Sequence, residues 1–134
     1  MNNRMFPDHG YFALQIDGNL LVIDAEGPAN IELIQKYRRD VQVYRQQLSG
    51  QRWGNLVIFH GDSLITHESI EAMKDSILDA KKCGMAAVAI VLDNVSYSSM
   101  ATQLWGGFYR NADMPHQFFT DIQQARLWLQ AQLD

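Results

Sequence analysis

Apolar residues gather first in two β-rich runs, 11–17 and 19–26, that meet at Gly18-Asn19. That dipeptide tolerates the positive φ of a tight hairpin, so the runs pair antiparallel. Gly27-Pro28 ends the second run, because proline cannot donate to a ladder. The period then changes. Ile31, Ile34, Tyr37, Val41, Tyr44 and Leu48 are spaced as one face of a helix over 30–48, with Asn30 as its N-cap and Ser49-Gly50 as its stop. Lys36, Arg38, Arg39, Gln42 and Arg45 fall between them, on the solvated side.

Three further strand–helix units follow. Residues 55–59 read as a strand, and Thr66 as the cap of a helix with Ile70, Met73, Ile77 and Ala80 inward. Lys81 and Lys82 favour the negative end of that helix, and Gly84 closes it. Residues 86–92 are apolar without alternation, as in a strand covered on both faces. One face carries Ala86, Val88, Ile90 and Leu92, and the other Ala87, Ala89 and Val91. A helix over 96–110 presents Tyr97, Met100, Leu104 and Phe108 at helical spacing. A last strand, 117–119, leads into a helix capped by Thr120 with Gln123, with Ile122, Ala125, Leu129 and Leu133 inward. The order β-β-α-β-α-β-α-β-α predicts one α/β domain over 11–134, preceded by a loose arm over 1–10. Its mixed sheet of about five strands is mostly parallel, with the first strand antiparallel.

Composition narrows the function. The chain has 134 residues, 47% apolar and 19% charged, and 11 Lys and Arg against 15 Asp and Glu give a net charge of −4. That balance excludes a phosphate-coating nucleic-acid binder. The single cysteine, Cys83, fits a reducing compartment, and its place at a helix end opposes a reactive thiolate. The longest apolar run, 85–92, is far short of a membrane span of ~20 residues. The opening eight residues hold no apolar signal core. A cytoplasmic protein is expected.

The tail Phe118-Phe119-Thr120-Asp121-Ile122-Gln123-Gln124-Ala125-Arg126-Leu127-Trp128-Leu129, with the hairpin, long helix and three strand–helix units before it, resembles the SpoIIAA-like branch of the STAS superfamily. The resemblance covers about residues 9–134. It implies that α/β fold and a non-enzymatic regulatory or protein-interaction role in a bacterial cytoplasm, with an unknown protein partner and self-association. Regulatory members carry a phosphorylated serine, preceded by Asp and followed by Gly, at the start of the helix after the third strand. Here that position falls near His67 or Glu68. Asp62-Ser63 comes several residues early, and Leu64 follows it.

Candidate chemistry lies in two places. His60, Asp62, Ser63, Thr66, His67, Asp93 and Asn94 fall at strand exits, where open α/β sheets place ligands, so connectivity brings them to one crevice. The plainer reading makes Asp62 or Ser63 part of a polar turn and Asp93 or Asn94 the cap of the third helix. Gly61-Asp62-Ser63 is no nucleophile elbow, because Ile65 stands where that motif needs glycine. The histidine spacing matches no strong metal signature, and no phosphate-cradling glycine motif is present, so no metal or cofactor is expected. A small hydrolase or isomerase would require His60, Asp62, His67 and Asp93 to converge. The second place is 100–109. Leu104 and Phe108 can face the core there, leaving Trp105 and Tyr109 about 100° around the helix. With Met100, these residues make a candidate patch for self-association or for a small apolar, lipid-like ligand. A local core that wraps more of the chain is the alternative.

Overall fold

A computed structural model describes residues 10–134; the expected N-terminal arm otherwise lies outside the described residues. Five strands form one sheet in the order β1-β2-β3-β4-β5. They are β1 (Tyr11–Asp17), β2 (Leu20–Glu26), β3 (Trp53–Gly61), β4 (Met85–Val95) and β5 (His116–Phe119). The first two pair antiparallel across the Gly18-Asn19 turn, and every later pair is parallel. The helices are α1 (Ile31–Leu48), α2 (Ile70–Lys82), α3 (Ser98–Asn111) and α4 (Ile122–Leu133), with a 3₁₀ turn at His67–Ser69. Each parallel pair joins consecutive strands through a crossover of the same hand, so α1, α2 and α3 share one face of the sheet. The last helix returns across the opposite face.

Those two faces give two cores. Leu21, Ile23, Val57, Phe59, Val88 and Ile90 pack beneath the three crossover helices. Leu20, Leu56, Ala87, Ala89 and Val91 pack beneath α4, through Ala125, Leu129 and Leu133. The small side chains on β4 let α4 sit close, and a Cβ on Gly54 would stand 2.8 Å from Leu129 Cδ1. Ala86 does not keep to its expected face. The β3–β4 register shifts beside Trp53 and Met85, so Met85 and Val88 both join the larger core while Ala86 packs on the α4 side.

Local signals set the element ends, with some displaced. Asn30 Oδ1 accepts from Leu33 N at 3.0 Å and caps α1 as expected. Thr66 does not cap α2. Its N–H donates to Ala29 O and Ala29 N–H to Leu64 O, which holds the segment extended beside Ala29; its hydroxyl instead pairs with Ser69 Oγ at 2.7 Å. The fourth strand runs on to Val95 and absorbs Asp93 and Asn94, so neither caps α3; Tyr97, at φ 55, precedes that helix. At α4 the cap is Asp121 rather than Thr120, with Oδ1 accepting from Gln123 N at 2.8 Å.

Two faces also differ from the periodicity. Arg45 is buried rather than solvated, because α2 covers that side of α1 and Arg45 Nη2 donates to Ser76 Oγ at 3.1 Å. On α3 the buried stripe is Ala101, Trp105, Phe108, Tyr109 and Ala112. Ala101, Trp105, Phe108 and Ala112 keep helical spacing as well as the expected set does.

Candidate functional site

At the exits of β3 and β4 the expected crevice divides in two, because strand alternation sends neighbouring side chains to opposite faces. His60 and Asp93 share the α4 face. His60 Nδ1 lies 3.0 Å from Asp93 Oδ2, and Nε2 lies 2.9 Å from Asp24 Oδ1, though Nε2 makes no well-directed hydrogen bond. Asp24 Oδ1 also accepts from the Tyr11 hydroxyl at 3.2 Å. A polar row, Tyr11–Asp24–His60–Asp93, thus crosses four adjacent strands. The sequence reading missed Tyr11 and Asp24; the signal was a carboxylate interrupting an otherwise apolar strand that pairs in parallel with the His60 strand.

The remaining crevice candidates do not join that row. Asp62 Oδ1 accepts from Leu64 N at 2.9 Å and serves its own turn, the plainer of its two readings. Thr66 is half-buried against Ser69, and Asn94 is exposed at φ 53. His67 is exposed, and no hydrogen bond or ion pair among the described residues links it to His60 or Asp93. Ser63 is only 2% exposed and faces the other side of the sheet, where its carbonyl accepts from Trp105 Nε1 at 2.9 Å.

Ser63 leads to the second feature. A cavity of about 80 Å³ lies between the sheet and α1, α2 and α3. Its wall is mostly apolar, including Ile34, Val57, Phe59, Met73, Ile77 and Trp105. Three polar side chains of the same wall carry buried atoms without a hydrogen-bond partner among the described residues: Arg45 Nε, Asn55 Oδ1 and Ser63 Oγ. The candidate patch on α3 is split by this arrangement. Trp105 and Tyr109 line the cavity, Phe108 is buried in the core, Leu104 is half-buried, and Met100 is 57% exposed. Burial pushes the Tyr109 phenol well above the usual tyrosine range, with the nearby Tyr37 adding a smaller push.

Among the described residues no group of three or more His, Cys, Asp or Glu is placed to hold a metal ion, and no helix is long and apolar enough to cross a membrane. No protein-family model and no curated protein matches the chain. A solved structure described as "The overall structure of SLC26A9" matches with a TM-score of 0.54 at 16% identity. The match covers 92% of this chain but 24% of the other, and that protein has a STAS domain. The likeness is one of fold. It agrees with the STAS-like α/β architecture, while function rests on this chain's own residues.

Proposed function

We propose that this domain is a non-enzymatic binding module that carries or senses a small apolar ligand between its sheet and α1, α2 and α3. The observation that carries this reading is the cavity itself. An apolar wall supplies affinity, and a few inward polar groups supply orientation, the usual make-up of a small-molecule site. Three unpartnered polar atoms in one wall support it further, since buried polar groups are costly unless something pairs with them. Native mass spectrometry of the chain purified from cells is the test. A small-molecule adduct that leaves on denaturation is expected; an apo mass in repeated preparations rejects the reading.

A second reading is a regulatory protein-interaction module of the SpoIIAA-like branch, acting in a bacterial cytoplasm and self-associating as a homodimer. It is favoured by the STAS-like fold and by Tyr97 and Met100, 65% and 57% exposed where α3 begins. Burial of Ser63 argues against a switch that phosphorylates that hydroxyl in the folded chain. Light scattering of the eluted protein tests the self-association: a dimer that Tyr97→Ala with Met100→Ala converts to monomer supports it, and a strictly monomeric wild type removes it.

A further inference from the structure

Arg45 carries a charge that its surroundings do not balance. It is 5% exposed, and its guanidinium is a cation. Buried charges are normally paired, because an isolated one loses its hydration without compensation. Here Nη2 has the neutral Ser76 hydroxyl and Nε has no partner among the described residues. No carboxylate among the described residues lies within ion-pair distance of it, and the nearby Asp79 pairs instead with Arg38 at 3.2 Å.

We infer that the cavity takes an amphipathic monocarboxylate, with its apolar body against the wall and its carboxylate on Arg45. This rests on the cavity being the ligand site. The wall disfavours a purely polar anion, since Val57, Phe59, Met73 and Ile77 would then face a hydrated group. It equally disfavours a phosphate dianion, because among the described residues the cavity wall offers one cationic side chain, Arg45, and a second negative charge would stay uncompensated. Glu26 also borders the cavity, but strand alternation sends its side chain to the α4 face with Asp24 and His60. It stands at the exit end of β2, in register with His60, and makes no ion pair with Arg45 among the described residues. Arg45 also borders a surface depression of about 320 Å³ lined by Arg38, Asp79 and Lys82, where the Arg38–Asp79 pair leaves Lys82 as the further cation.

The test compares butyrate, 1-butanol and acetate, whose four-carbon members match the cavity volume, by titration against the full chain. Charge-assisted pairing predicts butyrate binding at least about tenfold tighter than 1-butanol, and two fewer methylenes predict acetate at least about tenfold weaker than butyrate. In Arg45→Met the butyrate advantage disappears while 1-butanol binding persists. Equal binding of butyrate and 1-butanol to the wild type overturns the carboxylate and leaves the apolar-ligand reading standing. Acetate binding as tightly as butyrate moves the anion to the outer depression and overturns the amphipathic assignment. Binding of neither four-carbon probe overturns both. Should Arg45→Met fail to fold, the wild-type ratio decides.

Discussion

Gly84 sits at φ +107, a conformation that side chains disfavour, and a Cβ there would stand 2.9 Å from the Gln51 carbonyl. Gly18 also has positive φ, at +62, but open space surrounds it. Backbone strain alone therefore sets the cost of Gly18→Ala at ~1 kcal/mol, whereas Gly84→Ala adds a backbone clash and should cost ~3 kcal/mol. Urea unfolding of the two variants separates these values; equal losses would remove the clash from the account. Tyr109 makes a prediction about pH. Its phenol is held above its ordinary range first by burial and then by Tyr37. The folded chain thus keeps a proton that the unfolded chain releases above about pH 10, so stability is full below that pH and falls as pH rises past it. The slope from this one group is ~1.4 kcal/mol per pH unit, and Tyr109→Phe should flatten the alkaline limb by that amount. An unchanged limb would mean that the phenol ionises within the fold.

Caps and faces are decided at the level of the element. Asp121→Ala should cost ~1 kcal/mol, because it removes the acceptor for Gln123 N, while Thr120→Ala should stay within about 0.5 kcal/mol. Thermal unfolding of both variants reads the difference, and the reverse order would restore the cap to Thr120. Much of this scale was legible in the sequence. The α1 stripe, its Asn30 cap, the hairpin and the small face of β4 all follow from spacing and residue type, which are local properties. The misassigned features depended on partners distant in sequence. Arg45 is buried because α2 arrives beside it, and Thr66 is drawn off its cap by Ala29, 37 residues earlier in the numbering. On α3, two stripes had equal periodicity, and only the packed sheet chose the one with Ala101 and Ala112. The candidate site was legible in part for the same reason. Strand exits could be counted, but the face each side chain takes depends on register, which divided His60 from Ser63.

Across the described residues the molecule is lopsided, with three helices over one side of the sheet and α4 over the other. The smaller core therefore depends heavily on single residues of α4. Leu129 is fully buried against Gly54, and Leu129→Ala should cost ~3 kcal/mol through lost burial and an unfilled space. Leu127, 75% exposed on the same helix, should tolerate alanine within about 0.5 kcal/mol. Chemical denaturation of the pair checks this, and similar losses would place α4 outside the cooperative unit. Beyond that core, α4 is tied down by Arg126 Nη1 to Asp17 Oδ2 at 2.9 Å, which links the last helix to the first hairpin. The strand order has a consequence for biogenesis. Each strand pairs with the one synthesised immediately before it. A nascent chain leaving the ribosome can extend its sheet at one growing edge, never having to insert a late strand between two already joined.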